Sequence, residues 1–137
     1  LRFIQREYRT GLRNRGDEMA YVDGFLLPVP RRKLAVYRRM ARVAGKVWME
    51  FGALEYRECV GEDIKRPHAA AFRKGVRLKP GETVFFSWIV YKSRRDRDRI
   101  NKLVMKDPRI LKVMEVSTNA FDMKRMGFGG FKVFVEY

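Results

Sequence analysis

The clearest pattern in the chain is a helical repeat of apolar residues in its first half. Between residues 32 and 51, apolar side chains recur every three or four positions, which is the period of a helix with one buried face. Gly52 follows at the point where a helix commonly ends in a left-handed residue. The repeat predicts one long amphipathic helix, whose apolar positions are Val36, Tyr37, Met40, Val43, Ala44, Val47, Trp48 and Phe51.

Alternating apolar and polar residues, which are typical of strands, lie on both sides of this helix. The turn sequence Lys79-Pro80-Gly81-Glu82 joins two such segments into a predicted hairpin, because proline presets its own dihedral angle and glycine accepts a positive one. Strands are predicted in five segments, residues 21–29, 54–60, 72–78, 83–91 and 131–136.

Two capping signals predict helices in the second half of the chain. Ser93 followed by Asp96 forms a capping box, in which a side-chain oxygen accepts a hydrogen bond from an unpaired helical N–H. Asp107 and Pro108 begin a further helical segment, because proline fits the first helical position and aspartate caps it.

The predicted order of elements is β-α-β-β-β-α-β, which contains the split β-α-β plan of a ferredoxin-like sandwich with an extra central strand. Two helices can cover only one face of such a sheet. Both faces of residues 84–91 are largely apolar, so the uncovered face needs a partner. The sequence therefore predicts an α+β fold and a homodimer formed through the sheet faces.

The composition changes near residue 19. Residues 1–18 are Arg-rich and polar, and we interpret them as a basic N-terminal extension of the domain, either translated from an upstream start or added by cloning. The spacing of Ile4, Tyr8 and Leu12 also permits a short cationic amphipathic helix. Residues 19–137 are expected to form a single ferredoxin-like α+β domain, which is an ordinary size for one core.

Length and composition exclude several classes of protein. With 137 residues, 46% of them hydrophobic and 34% charged, the chain fits a soluble globular domain. No stretch approaches the roughly 20 apolar residues of a membrane-spanning helix, so no membrane partner is expected. The single cysteine, Cys59, cannot form an internal disulfide, which favours a cytoplasmic location.

The chain carries 31 Lys and Arg against 16 Asp and Glu, a net charge of +15. Such a charge favours anionic partners, but the basic residues are spread along the whole length and are interrupted by acids. We therefore favour a solvated basic surface and keep polyanion or nucleic-acid binding as the alternative. In a salt titration, duplex DNA should then bind weakly and be released at ordinary salt, whereas nanomolar sequence-selective binding would support the alternative.

Cofactor chemistry finds little support among the residues. His68 is the only histidine, which excludes a multi-histidine metal site, and we interpret it as an exposed loop residue. Cys59 has no histidine nearby in the sequence and is interpreted as a small buried hydrophobe. Residues 127–130 lack the lysine and the following helix of a phosphate-binding loop. No metal and no cofactor are therefore expected.

A polar set in an aromatic frame remains as the candidate ligand-binding site. Asp23 and Glu58 lie on predicted strands, Asp122 and Arg125 precede the last strand, and Trp88 forms a wall. A carboxylate among apolar neighbours costs free energy unless it is paired, and Arg125 is the natural partner. The four charged residues are therefore predicted to converge near Trp88, as a structural ion pair or as a small-molecule pocket.

Several short motifs occur in the order in which one family has them. They are Tyr21-Val22-Asp23-Gly24-Phe25, Phe51-Gly52-Ala53-Leu54, Glu58-Cys59, Phe86-Ser87-Trp88-Ile89, Arg95-Asp96, Asp107-Pro108-Arg109, Phe121-Asp122-Met123-Lys124-Arg125-Met126 and Phe128-Gly129-Gly130-Phe131. From Met19 onwards the chain thereby resembles the YbaA-like family of small bacterial proteins. The resemblance implies a dimeric α+β barrel without an established reaction. Related folds include monooxygenases that need no metal, so the resemblance is compatible with an oxygenase-like enzyme.

Overall fold

The computed structural model describes residues 19–137. The predictions made for residues 1–18 lie outside the described residues. Short 3-10 turns occupy Arg31–Lys33, Pro67–Ala69 and Met123–Arg125. The regular elements of the described chain are β1 (Tyr21–Pro30), α1 (Leu34–Glu50), β2 (Glu55–Val60), α2 (Ala70–Gly75), β3 (Glu82–Tyr91), α3 (Arg94–Val104), α4 (Pro108–Ala120) and β4 (Gly127–Lys132).

The four strands form one antiparallel sheet in the order β2-β3-β1-β4. The central pair, β1 and β3, is separated in sequence by α1, β2 and α2, which is the split arrangement predicted from the element order. The α+β class is confirmed. Within residues 19–137, no helix combines the length and the apolar character needed to cross a bilayer.

The extra central strand predicted at residues 72–78 is wrong. Part of this segment belongs to α2, which the alanines before Phe72 favour, and the Phe72 ring packs edge-on against the Phe86 ring at 5.9 Å. The predicted turn is present, since the Glu82 N–H donates to the Lys79 carbonyl at 3.2 Å and Gly81 has a φ of +80°. Phe72 therefore belongs to a short helix lying on the sheet, whereas Val76 and Leu78 follow that helix.

The last strand lies earlier than predicted, because the glycines that looked like a loop are part of β4. Gly130 stands opposite Asp23 in the register of β1 and β4. A Cβ at Gly130 would lie 2.2 Å from the Tyr21 hydroxyl oxygen, so only glycine fits this close approach.

The predicted helix signals are confirmed. α1 falls inside residues 32–51, and Gly52 ends it with a φ of +113°. The Asp96 N–H donates to the Ser93 hydroxyl oxygen at 3.1 Å. The Arg109 N–H donates to an Asp107 carboxylate oxygen at 2.8 Å.

The two faces of the sheet differ in their cover. One face, here called the helix face, packs against α1, α3 and α4 through a core that includes Leu27 and Phe85. Because side chains alternate along a strand, Leu26 and Phe86 point to the opposite face, here called the outer face. Phe86 is 46% exposed there and Phe131, on β4, is 61% exposed. The outer face therefore keeps accessible apolar area beside α2.

Candidate ligand-binding site

Glu58 lies on the edge strand β2 with its side chain on the helix face. Its Oε2 accepts hydrogen bonds from the hydroxyls of Tyr37 (2.7 Å) and Ser87 (2.5 Å), and its Oε1 accepts one from the Tyr56 hydroxyl (2.9 Å). Tyr37 comes from α1, whereas Ser87 stands opposite Glu58 on β3. We call these four side chains the Glu58 network.

One lone pair of the Glu58 carboxylate accepts no hydrogen bond from the other side chains of the Glu58 network. Burial raises the pKa of Tyr37 and Tyr56 far above the usual phenol range, and the charge of Glu58 adds to both shifts. Both phenols therefore stay protonated and donate hydrogen bonds to the Glu58 carboxylate. A carboxylate oxygen has two lone pairs, and within residues 19–137 Oε2 uses both while Oε1 uses one. Glu58 Oε1 can thus accept a further hydrogen bond.

Two cavities meet at the Glu58 network. The first, here called the α1 groove, lies between α1 and β2 and has a volume of about 460 Å³. The second, here called the inner cavity, lies deeper between the sheet, α1 and α4 and has about 170 Å³. Tyr37, Ala41, Tyr56 and Glu58 border both. The α1 groove is within the range of roughly 300–1,000 Å³ that is usual for small-molecule sites.

Gly45 lets α1 come close to β2 at the wall of the α1 groove. A Cβ at this position would lie 2.8 Å from Cδ1 of the Tyr56 ring, which is closer than carbon atoms pack. The ring is held by its hydrogen bond to Glu58, so it has little freedom to move aside.

We expect Gly45→Ala to lower the free energy of unfolding by about 1–3 kcal/mol, because the added methyl group displaces the Tyr56 ring. Helix propensity alone predicts a gain of about 0.5–1 kcal/mol, so the sign of the change in a denaturant titration is decisive. In a Tyr56→Leu background, Gly45→Ala should cost less, because the ring that the methyl group displaces is absent. A more stable single variant would contradict the close packing.

Asp23, which is 1% exposed, is the centre of a second polar cluster. Its Oδ1 accepts from Arg97 Nη1 at 3.0 Å, and its Oδ2 accepts from Asn101 Nδ2 at 3.4 Å. The Asn101 carbonyl oxygen accepts in turn from Trp48 Nε1 (3.0 Å) and the Tyr91 hydroxyl (3.1 Å). We call these five side chains the Asp23 network.

The position of the Asp23 network indicates a structural role. Burial raises the pKa of Asp23 and outweighs the opposing effects of Arg97 and Asn101. The Arg97 guanidinium lies over the Tyr21 ring, 4.7 Å from its centre. Neither the α1 groove nor the inner cavity borders on Asp23. The cluster therefore fastens α3 to β1.

Arg125, which is 8% exposed, forms a third cluster. Its Nη1 and Nη2 donate to the two carboxylate oxygens of Glu82 at 2.8 and 2.6 Å, and its Nε donates to Asp122 at 2.8 Å. Nη1 also donates to the carbonyls of Val76 (3.4 Å) and Arg77 (3.1 Å). Hydrogen bonding to Arg125 lowers the pKa of Glu82 and of Asp122. We call these residues the Arg125 network.

The predicted convergence of the charged residues near Trp88 is wrong. Asp23 stands opposite Ile89 towards the end of β3, whereas Glu82, the partner of Arg125, begins that strand. The predicted set splits accordingly, since Asp122 and Arg125 form an ion pair with each other while Asp23 and Glu58 bind other partners. Ligand binding by these residues stays a prediction.

Trp88 lies apart from the charged residues with which it was grouped. Its position on β3 borders the inner cavity, as does Glu58. Its ring, however, belongs to the outer face, where it packs against the Phe86 ring at 5.5 Å and where Nε1 lies 3.4 Å from Glu55 Oε1. Trp88 therefore forms no wall around the Glu58 carboxylate.

The sequence placed Tyr56 on the same strand face as Glu58, but Tyr56 was interpreted as an apolar neighbour and not as a hydroxyl donor. Ser87, a polar residue among the apolar residues 84–91, was a second signal that was not used. Arg97 carried no such signal, because α3 is rich in charged residues throughout.

The isolated histidine and cysteine lie away from these clusters. His68 is exposed in the Pro67–Ala69 turn, as its loop position suggested. Cys59 is half-buried on β2, on the face opposite Glu58. Over the part of the chain that the structure describes, no three His, Cys, Asp or Glu side chains form a group able to hold a metal ion.

Comparison with known proteins places this architecture in a family. The family described as a protein of unknown function (DUF1428) matches residues 20–123. The uncharacterized protein YbaA of Escherichia coli K12 is 42% identical over 118 residues, which cover 86% of this chain and 99% of that protein. YbaA of Shigella flexneri is similar to the same extent. The chain thus belongs to the YbaA-like family, DUF1428, as its motifs indicated.

Proposed function

We propose that the chain binds a small molecule in the α1 groove, with Glu58 as the polar anchor. The observation that supports this most directly is the Glu58 carboxylate itself, which borders the groove and retains an open lone pair on Oε1. Tyr37, Tyr56 and Ser87 fix its orientation. A ligand hydroxyl or N–H that donates to Oε1 would form a charge-assisted hydrogen bond.

The same arrangement suits proton abstraction from a bound ligand. The lone pair of Glu58 Oε1 that no side chain of the Glu58 network uses can accept a proton from a ligand group within hydrogen-bond reach. An oxygenase-like reaction, which the fold resemblance is compatible with, requires an electron-rich substrate in its deprotonated form. Glu58 is the residue that we assign to that step.

A fluorescent probe tests whether the groove is a binding site. N-phenyl-1-naphthylamine is uncharged and brightens in apolar surroundings, so its titration reports the Kd. We expect Ala41→Phe, which fills the border of both cavities, to raise that Kd at least about tenfold by excluding the probe. Ala35→Phe, at an exposed position of the same helix, is the matched control and should leave it unchanged.

The anchoring role of Glu58 is tested with two competitors of the same probe. 1-Naphthol donates a hydrogen bond and 1-methoxynaphthalene does not, so the first should displace the probe about tenfold better, as expected for a bond to a charged acceptor. Glu58→Gln should reduce that preference to about threefold. Equal competition on the unsubstituted chain would contradict the anchor. If Ala41→Phe does not fold, Met49→Trp at the groove mouth replaces it.

We further propose that the chain forms a homodimer through its outer face. Leu26, Phe86 and Phe131 give this face its apolar character, and α2 covers only part of it. The C-terminal Phe134 and Tyr137 add exposed aromatic area next to β4. Exposed apolar patches of this kind mark association surfaces, and a second copy of the same face is self-complementary.

The dimer predicts a mass twice the 16.3 kDa of one chain. Light scattering at micromolar concentration should give that value for the unsubstituted chain, and Phe86→Lys combined with Phe131→Lys should give the mass of a single chain, because two charges on each copy would be buried without partners. Leu111→Lys combined with Met114→Lys, two exposed apolar residues of α4 on the helix side of the sheet, is the control and should leave the mass unchanged. A single-chain mass for the unsubstituted protein would end this proposal.

A further inference from the structure

The mouth of the α1 groove carries a row of cations. Arg38, Arg42 and Lys46 are four residues apart on α1, so they lie along one side of the helix and span about 12 Å. All three are exposed and border the groove. They therefore meet any ligand that enters between α1 and β2.

Within residues 19–137, these three cations form no ion pair with an acidic side chain, although six arginines elsewhere in that range do. No ion pair or side-chain hydrogen bond involves Arg38, Arg42 or Lys46 in that range. Lys46 helps to lower the pKa of Glu50, but the Glu50 carboxylate binds Arg109 at 2.8 Å. By contrast, the arginines that form ion pairs are Arg57, Arg66, Arg97, Arg99, Arg109 and Arg125.

The only acidic residue of α1 is Glu50 at its C-terminal end, and Glu50 pairs with Arg109. From Leu34 to Met49, α1 contains no Asp or Glu. Like charges four residues apart on a helix repel each other, and an anion placed between them would relieve that repulsion. Below the row, the groove surface is apolar and includes Leu34, Val60 and Phe85. The groove therefore combines a cationic rim with an apolar floor.

We propose that the α1 groove selects amphiphilic anions, which are molecules with one carboxylate or phosphate group and an apolar body. This inference rests on the proposed small-molecule function and specifies its ligand. The anionic group lies between Arg38, Arg42 and Lys46, and the apolar body lies on the groove floor. A hydroxyl on that body donates to Glu58 Oε1. The anionic group therefore contacts cations, whereas the hydroxyl contacts a carboxylate.

Displacement of N-phenyl-1-naphthylamine by three eight-carbon competitors tests this inference. Octanoate, octyl phosphate and 1-octanol share the apolar chain and differ in the head group. At low salt, both anions should displace the probe at about tenfold lower concentration than octanol, because three exposed cations contribute modestly each. Whichever anion competes better identifies the preferred head group and supports the inference.

Two triple variants that each remove three positive charges distinguish the effect of the groove rim from the effect of the net charge. Arg38→Gln, Arg42→Gln and Lys46→Gln together should remove the advantage of the anions over octanol. Arg39→Gln, Lys102→Gln and Lys106→Gln, all exposed and away from the groove lining, should preserve it. Arg42→Gln alone should reduce the advantage about threefold, which keeps the test available if the first triple variant does not fold.

The outcomes distinguish this inference from the proposed function. If octanol competes as well as the anions, or if both triple variants behave alike, the groove does not select amphiphilic anions although it binds the probe. If the probe does not bind the unsubstituted chain, or Ala41→Phe binds it unchanged, the proposed site is itself wrong.

Discussion

Arg125→Ala is expected to lower the free energy of unfolding by about 3–5 kcal/mol, the loss typical of breaking a buried ion pair from one side. The substitution removes the guanidinium from the Glu82 carboxylate, which keeps only the Lys79 N–H, and from the carbonyls of Val76 and Arg77. At constant protein concentration, the Tm should fall by about 10–20 °C. Binding of N-phenyl-1-naphthylamine should not change, because Arg125 borders neither cavity.

Two lysine substitutions provide the comparison. Arg125→Lys should also be destabilising, because an ammonium group cannot hold both oxygens of Glu82 and the Asp122 carboxylate in one planar fork. Arg66→Lys is the matched exposed exchange, since Arg66 pairs with Asp63 at the surface, and it should change the free energy of unfolding by less than about 0.5 kcal/mol. Equal effects of the two substitutions would contradict the role of the fork.

The same network gives a pH dependence of defined sign. Arg125 holds the pKa of Glu82 below its ordinary value of 4.5. The folded chain therefore releases the Glu82 proton more readily than the unfolded chain, and the resulting stabilisation is present above about pH 4.5 and lost as the pH falls through the lowered pKa. Denaturant titrations between pH 3 and 6 should show a flatter profile for Glu82→Gln.

Asp23→Ala has the second-largest expected effect, a loss of about 3 kcal/mol in the free energy of unfolding. It leaves Arg97 and Asn101 without the carboxylate that they share. The loss is at the lower end of the range because Arg97 also pairs with Asp98 at 2.9 Å. Asp23→Asn keeps a neutral acceptor and should cost about 1–2 kcal/mol. Identical stability of the alanine variant and the unsubstituted chain would contradict this assignment.

The pH dependence at Asp23 has the opposite sign to that at Glu82. Burial raises the pKa of Asp23 above its ordinary value of 3.8, so the folded chain holds the Asp23 proton more tightly than the unfolded chain. As the pH falls through this raised pKa towards 3.8, the contribution of Asp23 becomes more favourable. The stability difference between the unsubstituted chain and Asp23→Asn should therefore shift in favour of the unsubstituted chain on acidification.

The fold was largely predictable from local patterns, and its exceptions have physical causes. α1 follows from a period of apolar residues that no other element matches in length, and the caps at Ser93 and Asp107 depend on a single side chain each. Residues 72–78 were wrongly predicted as a strand because Phe72 packs on the Phe86 ring and Val76 is buried just after α2, so apolar residues occur there without strand pairing. The start of β4 was predicted too late because its glycines were interpreted as a loop. The glycine opposite Asp23 is needed there because a larger residue would clash with the Tyr21 hydroxyl, a contact that only the folded chain reveals.

The candidate site was predictable only in part. Glu58 could be selected as a carboxylate among apolar neighbours, and that reasoning also selected Asp23 and Arg125. The element order predicted that β1 and β3 are neighbours. It did not predict which side chain of α3 reaches Asp23 or that Arg125 reaches the start of β3, so Arg97 and Glu82 could not be assigned as partners.

Trp48 contacts both the Asp23 network and the Glu58 network. Its Nε1 donates to Asn101 in the Asp23 network, while its ring lies 6.2 Å from the Tyr56 ring of the Glu58 network. Energetic effects that share a contact are not additive, whereas those of separate clusters are. Substitutions at Asn101 and Glu58 should therefore be thermodynamically coupled through the indole, while Arg125 varies independently of both. In this chain, one tryptophan connects the buried charge beneath α3 with the Glu58 network under α1.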